Sequence, residues 1–189
     1  FAQLELSLEQ GRRLFVLFGQ PRIGKTSFLN QLESRLGKEY LARRVDWHAV
    51  ADDHPEPLWR IAVALAQALD LAAPDRASFE TGGDAYVADL LAPVLSAPGT
   101  TTYLICLDGI PGDEFQENED WQLAIKALRS LLRPNHVLAV LLAIDGYAAL
   151  EPREGVAQLV LKRLPEVDTE DLLMLPASGY GFLPTLGYR

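Results

Sequence analysis

Five strand candidates, three of them continuous apolar runs, separated for the most part by stretches of helical spacing, constrain this chain's fold more than any other feature of it. Leu14-Phe15-Val16-Leu17-Phe18 is continuous rather than alternating, as a strand covered on both faces requires. The other apolar runs are Tyr103 to Leu107 and Val137 to Ile144, and further strands are expected within Leu41 to Val50 and at Val156 to Leu161. Between them, Phe28, Leu29, Leu32 and Leu36 fall on one helical stripe, with Gly37 as its stop. Leu58, Ile61, Ala62, Leu65 and Leu69 form a second stripe, and Trp121, Ile125, Leu128 and Leu132 a third. Arg129 and Arg133 suit the C-terminal dipole of the third, and Pro134 closes it. Tyr86 to Leu95 is helical but contains Pro93, which should kink or end it, while Pro74 to Gly83 is polar and turn-rich and reads as a loop. Asp168 is placed to cap a last short helix through Leu175. Strands alternating with helices predict an α/β fold of three layers, with a mainly parallel sheet in the middle.

Composition narrows the class without naming it. At 189 residues, 49% hydrophobic and 23% charged, the chain can bury a sizeable core, and a disordered, collagen-like or disulfide-stapled protein is excluded. Lys and Arg number 17 against 26 Asp and Glu, a net charge of 17 − 26 = −9, so a broad nucleic-acid surface is not indicated. The pairs Arg12-Arg13 and Arg43-Arg44 read as solvated surface in so acidic a chain. Cys106, the sole cysteine, cannot form an internal disulfide and suits a reducing, cytoplasmic compartment. No apolar run approaches the roughly 20 residues of a membrane span. The chain opens at Phe1 and is read as a piece of a larger protein, with 1–164 a nucleotide-binding domain and 165–189 the start of a helical domain or linker.

The nucleotide assignment comes from Gly19-Gln20-Pro21-Arg22-Ile23-Gly24-Lys25-Thr26-Ser27, which matches G-x-x-x-x-G-K-[ST] at every fixed position. Gly19 and Gly24 permit backbone angles that let successive N–H groups curl around a phosphate, and the helix starting near Lys25 aims its positive end at the same anion. Lys25 can reach the β- and γ-phosphates, the Thr26 hydroxyl can ligate Mg²⁺, and Ser27 is placed for the α-phosphate. The motif lies between a buried strand and an amphipathic helix, the setting that such a loop needs.

A second, acidic element should follow a buried strand and hold Mg²⁺ or its water. Leu104-Ile105-Cys106-Leu107-Asp108 fits, with Asp145 after Val137 to Ile144 as a rival; Asp108 is preferred because a helix and a later strand then follow in the usual order. Trp47, Trp59 and Trp121 read as packing residues, His48, His54 and His136 lack the mutual spacing of a metal site, and Cys106 reads as buried filler.

With these residues in view, the chain resembles the STAND group of signal-transduction ATPases, relatives of the AAA+ ATPases. Gly-x-Pro-Arg-x-Gly-Lys-Thr-Ser at Gly19–Ser27 looks like their phosphate loop, and Asp108-Gly109 resembles the Asp-Gly after their acidic strand. Leu161 to Leu172 is similar to the stretch that joins their core to a helical domain, and Gly181-Phe182-Leu183-Pro184 is loosely similar to a Gly-x-Pro motif of that domain. The resemblance implies a P-loop NTPase sheet of order 5-1-4-3-2 and an ATP/ADP- and Mg²⁺-dependent switch. It also implies self-assembly on activation, sensor and effector modules outside this piece, and a role such as defence by analogy.

The departures matter as much. AAA+ members carry Glu directly after the acidic Asp, and Gly109 stands there. Asp113-Glu114 lies further along, so Glu114 is a candidate base, with a solvated loop acid as the other reading. Ala143-Ile144-Asp145 replaces the usual polar sensor at the end of its strand. Slow hydrolysis is the expectation. The competing functions are an AAA+ motor or loader acting on DNA or protein and a non-hydrolysing scaffold. A GTPase is disfavoured because Asp108-Gly109-Ile110-Pro111 is not Asp-x-x-Gly in the right place and no Asn-Lys-x-Asp guanine reader is present.

Overall fold

The computed structural model describes residues 1–50, 56–97, 99–146 and 155–161. Strands β1 (Leu14–Gly19), β2 (Tyr40–Asp46), β3 (Thr102–Pro111), β4 (Leu138–Asp145) and β5 (Val156–Val160) form one sheet in the order β2-β3-β4-β1-β5. All four neighbouring pairs run parallel, so the expected order is observed, here read from the other edge. Helices α1 (Ala2–Glu9) and α2 (Lys25–Arg35) cover one face. Helices α3 (Pro57–Ala68), α4 (Arg76–Gly82), α5 (Asp84–Leu95) and α7 (Glu119–Leu131) cover the other, and the short α6 (Gly112–Glu117) follows β3.

Strand periodicity builds both cores from one run of sequence. In β1, Leu14, Val16 and Phe18 join the α3/α5/α7 side, while Phe15 and Leu17 join Leu4, Leu8, Leu29 and Leu32 on the α1/α2 side. A strand that must satisfy two apolar layers cannot alternate with polar residues, which is why the run is continuous. Trp47, Trp59 and Trp121 pack as expected, with the Trp47 and Trp121 ring centroids 5.4 Å apart.

The structure corrects two expectations. Pro74 to Gly83 is not a loop throughout, because α4 forms there. The Asp75 carboxylate caps it by accepting from the Ser78 N–H at 2.8 Å, and Phe79 is buried against Trp59 and Tyr86. Nor is Arg12-Arg13 wholly solvated. The Arg13 guanidinium is half-buried and donates to the carbonyls of His136 and Leu8 at 2.8 and 2.9 Å. Pro93 sits inside α5, which ends two residues later at Leu95. The suggested boundary at 164/165 and the helix capped by Asp168 lie outside the described residues. Among the described residues no helix is long and apolar enough to cross a membrane.

Candidate functional site

The loop from Gly19 to Gly24 leaves the carboxyl end of β1, the most enclosed strand, and enters α2 directly. Two glycines shape it for different reasons. Gly24 takes φ +99°, a left-handed angle that side-chain-bearing residues avoid, and stands at the N-cap of the helix with no side chain capping its first N–H groups. At Gly19 the limit is space, since a Cβ there would stand 2.8 Å from Ile23 Cγ2 and 3.4 Å from Lys25 Cγ. Arg22 also adopts positive φ, 65°, the kind of local strain that persists where the surrounding turn fixes it.

Lys25 is only 5% exposed, and its ammonium is fully engaged. Nζ donates to the Gly19 carbonyl at 2.6 Å and the Gln20 carbonyl at 2.9 Å, and pairs with Asp145 Oδ1 at 2.6 Å. An ammonium has three donors, so these acceptors exhaust it. Asp145 ends β4 in register with Gly19, and its backbone is pinned from the other side by Gly112, where any Cβ would overlap the Asp145 carbonyl. The two acids weighed from sequence therefore face the same cleft and hold different cations.

Asp108 is buried in β3, and its Oδ2 accepts from Arg44 Nη1 at 3.1 Å. That contact corrects the reading of Arg43-Arg44 as plain surface. Successive side chains of β2 point to opposite faces, so Arg43 bonds Asp70 and the Ala68 carbonyl while Arg44 reaches the cleft. Position Asp46 pairs in register with Asp108, and the Asp46 carboxylate accepts from the His48 N–H at 3.0 Å. The strand continues past Asp108 through a bulge at Gly109, whose φ is +87° and where a Cβ would lie 3.3 Å from His48 Cδ2. Any side chain at this position, the one where AAA+ members carry Glu, would be strained.

These groups line a cleft of about 600 Å³ at the carboxyl edge of the sheet. Of the predicted loop residues, Pro21, Arg22, Gly24, Lys25, Thr26 and Ser27 line it, whereas Gly19, Gln20 and Ile23 shape it from behind. Thr26 and Asp108, the expected Mg²⁺ ligands, both face it. Glu114 is not among the lining residues; it sits on α6, 51% exposed, with Oε2 4.0 Å from Arg60 Nη1. Arg44, Asp46 and His48 were not singled out for the site from sequence. The signal for them was the strand order, which sets the end of β2 beside Asp108. Among the described residues no group of three or more His, Cys, Asp or Glu could hold a metal by itself. One hydroxyl and one carboxylate beside a phosphate cradle suit Mg²⁺, which takes few protein ligands and completes its shell with phosphate and water.

No family model matches the chain, and no curated protein matches it in sequence. The likeness is one of fold. A chain in the structure of Drosophila ORC bound to AT-rich DNA and Cdc6 is similar with TM-score 0.55 at 12% identity, over 98% of this chain and 62% of that one. This chain thus spans under two thirds of that protein's length. A chain of Drosophila ORC bound to DNA gives TM-score 0.52 at 14% identity, over 88% of this chain and 90% of that one. A STAND protein with a tetratricopeptide-repeat sensor from Pyrococcus horikoshii gives TM-score 0.46 at 16% identity, over 98% of this chain and 25% of its own, a score too low to carry an argument. What sheet order and the ORC likeness show is the fold: an α/β fold of the P-loop NTPase type.

Proposed function

We propose that the chain binds ATP with Mg²⁺ at Gly19–Ser27 and serves as the nucleotide-controlled switch of a larger STAND-like protein, with slow hydrolysis. What carries this is the convergence of the glycine loop, Lys25, Thr26 and buried Asp108 on one cleft at the carboxyl edge of the sheet. The N–H groups opening α2 would receive the phosphates, Lys25 the β- and γ-phosphate charge, and Ser27 the α-phosphate. Thr26 and Asp108 would hold Mg²⁺, which would supply neutralisation of phosphate charge.

Both key side chains must first change partners. Lys25 exchanges Asp145 for phosphate, and Asp108 is released by Arg44, a guanidinium suited to turn to phosphate instead. Nucleotide binding thereby moves side chains on β2 and β4, strands on either side of β3. A switch of this kind works by population shift, so ATP must bind the assembly-competent form better than the resting one. Slow turnover follows from the strained Gly109 position and from Glu114 lying off the cleft, so that this candidate base would have to move in with α6. The test is steady-state phosphate release alongside light scattering in ATP and in ADP. Slow release with an ATP-dependent change in assembly is expected, and turnover in the ordinary enzyme range, on the order of 10 s⁻¹, would overturn the switch reading.

A further inference from the structure

A second cleft, of about 620 Å³, opens at the opposite edge of the sheet, where β1, β4 and β5 begin. Among the described residues its walls carry Arg12, Arg13, Lys126, Arg129 and Arg133, and no Asp or Glu. Five of the chain's 17 basic residues thus share one concavity in a protein of net charge −9. None of the five lies within ion-pair distance of a carboxylate among the described residues, and the Arg13 guanidinium donates to the carbonyls of His136, Leu8 and Arg12. The walls are set by close backbone packing. Gly11 has φ +81°, and a Cβ on it would stand 2.9 Å from Pro134 Cβ, so the α1–β1 turn and the α7–β4 turn meet tightly. Gly155, φ +83°, lies beneath the Arg129 guanidinium, where a Cβ would be 3.4 Å from Nε.

Helix capping accounts for part of this charge. Helices α1 and α7 both end here, and each C-terminus carries roughly half a negative charge, about one in total. Five cations exceed that severalfold. We infer that this cleft is a second anion site, independent of the nucleotide cleft, and that it takes a compact ligand bearing two or more phosphate groups. Arginine predominates, and its planar fork matches phosphate oxygens in pairs. Among the described residues the lining has no aromatic ring on which a base could stack, which argues against single-stranded nucleic acid. Without the five cations the rest of the chain carries −9 − 5 = −14, which opposes a long duplex but not a short, charge-dense ligand.

The test is calorimetric titration of the 189-residue chain, its nucleotide cleft filled with MgATP, with inorganic tripolyphosphate. Comparison ligands are orthophosphate, a short duplex DNA and a poly-glutamate peptide. The variants are Arg129→Ala/Arg133→Ala, both exposed and on the cleft rim, and Lys25→Ala, which disables the other site. Tripolyphosphate should bind more tightly than orthophosphate or peptide, lose at least tenfold in affinity in the double variant, and bind the Lys25→Ala chain unchanged. Loss of binding in Lys25→Ala alone would place the ligand in the nucleotide cleft and overturn the inference. Tighter binding of DNA, equal binding of peptide, or no binding at all would each overturn the ligand class. Unfolding midpoints within experimental error of the parent show that the double variant has not simply lost its fold.

Discussion

Replacing Asp145 by Asn should make the chain bind MgATP more tightly. Lys25 Nζ is saturated by the carbonyls of Gly19 and Gln20 and by Asp145 Oδ1, so a phosphate oxygen must displace one of them. The two carbonyls belong to the loop backbone, whereas the Asp145 side chain is 38% exposed and can swing away. A charge-assisted contact to a buried ammonium contributes about 1.5–3 kcal/mol, which the exposure of Asp145 reduces to about 1 kcal/mol. Removing the carboxylate also removes its repulsion toward incoming phosphate, which has the same sign. Together about 1–2 kcal/mol is expected, a roughly five- to thirtyfold fall in Kd. Lys25 then lacks its counter-charge in the nucleotide-free chain, so the resting protein should melt earlier and gain more in Tm on adding MgATP. Calorimetric titration of the two proteins side by side reads the affinity, and a thermal scan with and without nucleotide reads the linkage. The alternative role for Asp145, holding Mg²⁺ or its water, predicts weaker binding in Asp145→Asn. Weaker or unchanged affinity would refute the displacement argument.

Three further outcomes follow from residues of β3. Gly109→Glu introduces the Glu that AAA+ members carry after their acidic Asp, yet it forces a side chain onto φ +87° and against His48; it should lower stability by about 1–3 kcal/mol in a denaturant titration without raising ATP turnover. Burial, and secondarily Asp108, pushes the Cys106 thiol well above the ordinary cysteine range, so a thiol reagent should label it only as the chain unfolds. Because the folded-state value is the raised one, that thiol's contribution is complete below the unfolded value of about 8.5 and fades as pH climbs beyond it. Cys106→Ala should therefore flatten the alkaline fall in Tm.

The sheet was legible because a doubly covered strand leaves no choice of pattern, and Phe15 and Val16 must both be apolar when each faces a different core. The shape of the glycine loop was legible because a left-handed Gly24 and a buried Lys25 at the start of a helix have few substitutes in those positions. Short helices were harder. In α1 only Leu4 and Leu8 are buried, too few to mark a stripe, and α4 rests on the Asp75 cap and on Phe79, one aromatic meeting residues distant in sequence. Arg44 and Asp145 could not be assigned from their own neighbourhoods. Arg44 gains its role from Asp108, 64 positions away, and Asp145 from Lys25, so each is defined by strand order rather than by local pattern.

The most direct test of the central claim is titration of nucleotide-stripped protein with MgATP, with MgGTP as the control ligand and Lys25→Ala beside the parent. Binding of ATP in preference to GTP, weakened about ten- to a hundredfold in Lys25→Ala, is the predicted result. Equal affinity of Lys25→Ala and parent for MgATP would contradict it, because the cleft built around Gly19–Ser27 would then not be where the nucleotide binds.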